Sequence, residues 1–229
     1  PFQNRFNHFV GTRDFDGLKI LLINSIRLSM PIILLTIIPI VVLSDNIIVS
    51  WVGSDYLPSS AILSLLAMNF MFSFISSPTS NLFVSLEKIK DLYLSSFIMT
   101  SVFWVGIIAT ISYLGLMSFA IFKVVSGFVV TLYYLKYLLK FLEIDVLSFI
   151  KLSLFEMIIP SVIQIFFLIF IKKFLPFQEG TFNLILIITF GGFSALIGLT
   201  SLFLISKYYR NVLSQNIIGY NKASRMGKK

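Results

Sequence analysis

PFQNRFNHFVGTRDFDGLKILLINSIRLSMPIILLTIIPIVVL, residues 1–43, sets the pattern of the chain: a polar, charged segment runs without a break into an apolar stretch. From about residue 24 that stretch has the length of a membrane span, which needs about 20 apolar residues. Arg27 sits at its lip, where the chain enters the bilayer, and Pro31 and Pro39 inside it are free to bend the span beyond. The chain's single histidine, His8, lies in the polar part.

The same alternation repeats downstream. Apolar runs define six spans, at roughly 24–44, 60–84, 92–113, 117–137, 149–172 and 182–206, joined by short connections that favour antiparallel neighbours. The longest connection is SDNIIVSWVGSDYLPSS; EKIKD and GLMS are among the shortest. With 57% hydrophobic and only 12% charged residues, the chain carries about half the charge of a soluble domain. This is the composition of an all-α integral membrane protein. Three segments follow: 1–23, a cytoplasmic loop with an amphipathic helix leading into the membrane; 24–206, a six-helix bundle; and 207–229, a basic tail. Cys is absent and His occurs once, which excludes thiolate or imidazole metal clusters and makes cofactor chemistry improbable. The net charge of +8 does not point to nucleic acid, because the basic residues flank spans rather than gather in one polar module. The segment before the first span reads as an internal connection rather than a signal peptide, so the chain is expected to be a portion of a longer one.

Short loops rich in Lys and Arg stay in the cytoplasm. If the start lies inside, six crossings place EKIKD, KYLLKFLEID and the tail inside as well. Fifteen of the eighteen basic residues then fall at the cytoplasmic edge; Lys123, Lys172 and Lys173 lie toward the outside. Trp51 and Tyr56 would anchor the outer interface, and Tyr133, Tyr134, Tyr137, Tyr208 and Tyr209 the inner one. Thr12, Asp14 and Asp16 are suited to cap a helix starting near Phe15, and Asp145 to cap the fifth. Asp14-Phe15-Asp16 also matches the DxD pattern of metal-dependent glycosyltransferases, but no nucleotide-binding domain accompanies it and the cap reading is preferred.

Polar residues inside spans are the candidates for function. In the second span Asn69, Ser73, Ser77 and Asn81 recur at i+4, joined by Ser76 and Ser80, and form one stripe. Two readings stand: close interhelical packing, or a face toward a water-filled cavity that passes sugar hydroxyls. Pro78 in the stripe predicts a kink or break there. In the fourth span Lys123 stands above Gly127 and Thr131, either snorkelling to the surface or facing a transport path. The fifth aligns Ser153, Glu156, Pro160 and Gln164, with Glu156 either a coupling group or an interfacial acid paired with Lys151 or Lys140. Gly191, Ala195, Ser194 and Gly198 in the sixth have the spacing of close helix packing.

Three stretches carry a resemblance to a known family. PFQNRFNHFVGTRD, with Pro1, Arg5, Gly11 and Asp14, resembles the cytoplasmic connection of the multidrug/oligosaccharidyl-lipid/polysaccharide exporter superfamily, specifically the bacterial O-antigen and polysaccharide flippases. WVGSDYLPSSAILSLL resembles the family's next outer loop, and LFVSLEKIK the inner turn after it, with Glu87 where members commonly show Gly. The resemblance implies most of one lobe of a two-lobe transporter, with the N-terminal lobe as partner. It also implies residence in the bacterial cytoplasmic (inner) membrane with both ends of this portion cytoplasmic. Its implied cargo is an oligosaccharide on undecaprenyl diphosphate, with membrane lipids around it and no nucleic acid, cofactor or metal. Arg27 and Lys123 are then expected to accompany the diphosphate, Asn69, Ser73, Ser77 and Asn81 to line the path, and Glu156 with Gln164 to serve coupling. No residue is expected to be catalytic. The competing readings are a polysaccharide polymerase or acyltransferase, and a multidrug exporter. The first needs a large outer loop or an intramembrane His; the second, a more aromatic and acidic cavity.

Overall fold

Asp14 starts the long first span: its carboxylate accepts the Gly17 N–H at 2.9 Å, which satisfies one of the unpaired donors at the helix start. In the computed structural model, which describes residues 2–211, this opens α2 (Phe15–Val42). Its 28 residues extend about 42 Å at 1.5 Å each, more than the hydrocarbon core requires, so its first turns stand at headgroup level. The span therefore begins nine residues earlier than the hydropathy expectation of 24. Asp16, Lys19 and Asn24 lower the hydropathy there, but Leu18, Leu21, Leu22 and Ile26 on the other face are buried against neighbouring helices. Ahead of it, α1 (Phe2–Gly11) is a helix of its own rather than loop, with Phe6 fully buried.

The other elements are α3 (Ser44–Val52), α4 (Ser59–Asn69), α5 (Ser73–Ser85), α6 (Ile89–Leu114), α7 (Met117–Leu142), α8 (Val146–Ser153), α9 (Phe155–Lys172) and α10 (Thr181–Ile205). No strand occurs among the described residues, and six segments are long and apolar enough to cross a membrane: α2, α4 with α5, α6, α7, α9 and α10. The chain is an all-α, multi-pass membrane protein.

Three departures from the sequence expectation matter for function. The second span is interrupted by a 3-10 turn at Phe70–Phe72, two turns before Pro78, while α5 runs through the proline. Pro78 has no N–H for the Phe74 carbonyl, but the irregularity lies further upstream, before the carbonyl that the ring crowds. The Ser73 hydroxyl donates to the Phe70 carbonyl at 2.5 Å and closes the turn locally. Next, the longest outer connection is α3 and a 3-10 turn (Ser54–Tyr56), not open loop. Finally, the fifth span breaks at Leu154: α8 lays Phe149 into the core, Asp145 caps it through the Leu147 and Ser148 N–H groups, and α9 alone crosses.

The prolines of α2 explain part of the packing. Pro31 and Pro39 deprive the carbonyls of Arg27 and Leu35 of their i+4 donors. Each finds a donor from another part of the bundle: the Tyr209 hydroxyl donates to the Arg27 carbonyl at 2.6 Å, and Gln164 Nε2 donates to the Leu35 carbonyl at 2.8 Å. An unpaired carbonyl is costly in lipid, so these bonds fix α2 against α9 and the segment after α10. Small residues bring the helices close. Gly198 faces Leu35 and Gln164, Gly191 faces Pro39, and Gly106 of α6 leaves room only for the Phe122 ring of α7.

Helix α2 is the central element, packing on α1, α4, α5, α9 and α10, and its apolar window is 39% buried against 17% for α6 at the periphery. The α6–α7 hairpin lies on the α4–α5 side and the α9–α10 hairpin on the other. The main core gathers at the end of the bundle where α1, the start of α2 and the end of α7 meet, around Phe6, Leu18, Leu22, Phe83, Leu138 and Phe149. A smaller cluster, Leu43, Leu168, Leu175 and Ile187, closes the opposite end. There Lys172 donates to the Val42 carbonyl at 3.0 Å and pairs with Asp45 at 3.2 Å, placing a cation on the negative end of α2. The Ser60 hydroxyl, then Lys172, hold the Asp45 carboxyl below its ordinary range.

Candidate functional site

The polar stripe of the second span and Lys123 of the fourth meet in one cleft. Asn69, Ser73, Ser76, Ser77 and Ser80 from α4–α5 face Lys123, Gly127 and Thr131 from α7 around a cavity of about 460 Å³. The 3-10 interruption sits in the middle of this wall and contributes Phe70 and Phe72. Gly127 lets the walls approach: a Cβ there would lie 2.5 Å from Asn69 Oδ1 and 3.1 Å from the Phe72 ring. At the end nearer the start of α6 and the close of α7, the Ser95 hydroxyl and the Tyr134 phenol share a hydrogen bond of 2.9 Å.

Lys123 is half-buried. Among the described residues it forms no ion pair; its Nζ stands 5.9 Å from the Phe103 ring centroid, within the range of a weak cation–π contact. Among the described residues no carboxylate lines the cleft. Its chemistry is that of hydroxyls, one carboxamide, a few aromatic edges and one ammonium. Such a surface can hydrogen-bond a polyol and offset one negative charge.

Ser73 and Ser77 also border a second, smaller cavity of about 220 Å³, whose wall includes Asn81, Ser25 and Ser29 and whose floor is Phe6 of α1. Asn81 thus stands apart from the main cleft. The backbone carbonyl of Asn81 accepts from Gln3 of α1 at 3.3 Å and from Ser85 at 3.0 Å. Ser85 in turn accepts from Gln3 and donates to Asn7, so α1 is held over this end of the stripe.

Arg27 and Glu156 lie outside the cleft and are joined to each other. Arg27 Nη2 is 3.0 Å from Glu156 Oε2, with their side chains 13% and 31% exposed, and the Ser206 hydroxyl donates to the same oxygen at 2.9 Å. The guanidinium covers the Tyr208 ring at 3.4 Å, and the Tyr208 hydroxyl donates to Asn24 Oδ1 at 2.7 Å. Burial pushes the Tyr208 and Tyr209 phenols above their ordinary values, which keeps both as donors. Glu156 therefore pairs with Arg27, 129 positions away, rather than with Lys151 or Lys140. Two tyrosines expected at the inner interface, Tyr134 and Tyr209, are instead buried in the bundle and hydrogen-bonded there. Gln164 is fully buried, bonded to the Leu35 carbonyl and to Ser194 at 3.2 Å.

Sequence reading missed Ser95, Ser96 and Met99, the α6 wall of the cleft. The adjacent serines, with Thr100 at i+4 from Ser96, were the available signal, but that pair is shorter than the four-residue stripe of the second span. Lys222, Arg225, Lys228 and Lys229 of the basic tail lie outside the described residues.

Fold and cleft together define a multi-pass membrane protein with a polar, singly cationic cavity between spans. No family model, curated protein or solved structure matches the chain.

Proposed function

We propose that the chain moves an undecaprenyl-diphosphate-linked oligosaccharide across the bacterial cytoplasmic membrane, as most of one lobe of a two-lobe flippase. The observation that carries this reading is the cleft, where the described residues bring hydroxyls and a carboxamide to two facing walls, with one ammonium outside any ion pair and no carboxylate. A glycan cannot cross hydrocarbon unless its hydroxyls are hydrogen-bonded, whereas a polyprenyl tail can stay in lipid. Lys123 supplies charge where an anionic diphosphate passes, and Asn69, Ser73 and Ser77 supply exchangeable hydrogen bonds to sugar. An exporter of cationic drugs would need an acid in this lining.

Coupling falls to Glu156 within the same reading. Gln164 carries no titratable proton and is committed to packing. The Glu156 carboxylate is held by Arg27 and the Ser206 hydroxyl, and Arg27 in turn lies over the Tyr208 ring. In this reading α1, the α5–α6 turn, the α7–α8 turn and the end of α10 face the cytoplasm, which the excess of Lys and Arg beside them supports.

The test is loss of the full-length protein in its own cell. Surface glycan should fall and lipid-linked repeat units should accumulate on the inner leaflet, with return of the intact gene restoring both. Undiminished surface glycan and no accumulated intermediate would reject the flippase reading.

A further inference from the structure

Three lysines converge on a pocket that the cleft does not use, at the end of the bundle that carries α1. Lys19 of α2, Lys88 at the start of α6 and Lys140 near the end of α7 surround about 420 Å³, with Glu143 at the rim. Only Lys19 is neutralised by a carboxylate, Glu143, at 2.8 Å. Lys140 forms no ion pair among the described residues. Lys88 Nζ lies 4.6 Å from the Tyr137 ring centroid, and Tyr137 first, then Asp91, hold its ammonium above the ordinary lysine value. The nearby Asp91 accepts the Tyr133 hydroxyl at 2.6 Å. Among the described residues that line the pocket, three ammoniums stand against one carboxylate, with Asp91 beside Lys88 but outside the lining, so the pocket keeps a net positive charge.

The walls are aromatic. Tyr137 and Phe141 lie nearly parallel, 6.5 Å apart, and Phe15 forms the opposite side. All of these residues sit within two turns of a span terminus, since α2 opens at Phe15, α6 at Ile89 and α7 closes at Leu142. That is the depth of lipid headgroups, where aromatic rings and lysines are both favoured. Ammoniums from separate helices, spaced around one cavity, suit an anion that presents several oxygens in different directions, and a phosphate does so better than a carboxylate.

We propose that this pocket binds a phosphate-bearing anion, with Lys88 and Lys140 as the ammoniums that hold it and Lys19 shared with Glu143. The phosphate can come from an anionic glycerophospholipid of the surrounding leaflet or from a soluble phosphate compound. The site is independent of the cargo proposed above and stands or falls separately.

The experiment is native mass spectrometry of the purified full-length protein in neutral detergent, titrated with phosphatidylglycerol and, separately, with phosphatidylcholine. Phosphatidylglycerol should bind in preference, and the K88Q/K140Q protein should need about tenfold more of it for the same occupancy. K136Q/K151Q, which removes two exposed charges from the same end but outside the pocket, should bind as the unaltered protein does. If K88Q/K140Q does not fold, K140Q alone should show a smaller loss in the same direction. Inorganic phosphate then separates the sources: displacement of the lipid marks the pocket as one for soluble phosphate, and indifference marks it as a headgroup site. Unchanged phosphatidylglycerol and phosphate binding by the pocket variants, or equal loss in K136Q/K151Q, would overturn the proposal.

Discussion

In the proposed flippase, Lys123 is the cation that the described residues bring to the cleft. A charge-assisted hydrogen bond to a phosphate oxygen contributes about 1.5–3 kcal/mol, so its loss should slow passage by about tenfold to a hundredfold. Lys123→Gln is accordingly expected to lower surface glycan at unchanged protein level, and Lys123→Arg to retain most of it. Equal display by all three proteins would remove Lys123 from the path. The Arg27–Glu156 pair acts differently, because each partner is half-buried and the pair holds α2, α9 and the segment after α10 together. Arg27→Gln leaves Glu156 with only Ser206 and should cost about 1–2 kcal/mol, discounted for the partial exposure of the carboxylate. Adding Glu156→Gln should recover part of that loss. Thermal unfolding of the two single variants and the double variant in detergent gives the coupling, and strict additivity would show that the two groups do not interact.

Helix α2 shows how an element is stabilised from outside itself. Its prolines free two carbonyls, and Gln164 and Tyr209 supply the donors the helix lacks. Gln164→Leu removes the bonds to Leu35 and Ser194, a loss of about 1–2 kcal/mol given the modest value of such bonds between membrane helices. Pro39→Ala restores an N–H to the Leu35 carbonyl and keeps the Cβ that faces Gly191, so the double variant should regain about half of the lost stability. Absence of any rescue in thermal unfolding would mean that Gln164 acts through Ser194 alone. The existence of the six spans was legible in the residues because an apolar run of that length has few alternatives in lipid. The internal breaks were not. Pro78 announced an irregularity in the second span, but its place at Phe70–Phe72 depends on Ser73 and on the close approach of Gly127. The cleft was half legible: the i+4 stripe and the lone Lys123 identified its two walls, while Ser95 and Tyr134 required the tertiary pairing of α6 with α7. The partner of Glu156 could not be read at all, since it lies across the bundle from a position 129 residues earlier.

At the scale of the molecule, charge and topology make the same statement. Arg5, Arg13, Lys19, Arg27, Lys88, Lys90, Lys136, Lys140, Lys151, Lys207 and Arg210 belong to helices or turns at one end of the bundle, whereas Lys172 and Lys173 stand at the other. The contacts agree: Lys19 reaches Glu143 and Arg27 reaches Glu156 at the first end, and Lys172 reaches Asp45 while Ser50 donates to the Gln178 carbonyl at the second. An even number of crossings then puts α1 and the end of α10 on one side, and in the reading proposed above the positive-inside rule assigns that side to the cytoplasm. These 229 residues hold no cysteine, so once any cysteine elsewhere in the full-length protein is replaced the orientation is directly measurable. Ser54 and Val146 are both exposed, at opposite ends of the bundle. In the full-length protein, Ser54→Cys should react with a membrane-impermeant maleimide in intact cells whose outer barrier has been opened. Val146→Cys should react only once the cytoplasmic membrane is permeabilised. The reverse pattern would invert the protein and place Lys19, Lys88 and Lys140 on the outer leaflet. Labelling of both positions from one side would require an even number of crossings between them, one fewer or one more than the three that α4–α5, α6 and α7 make, and would contradict the six-span bundle itself.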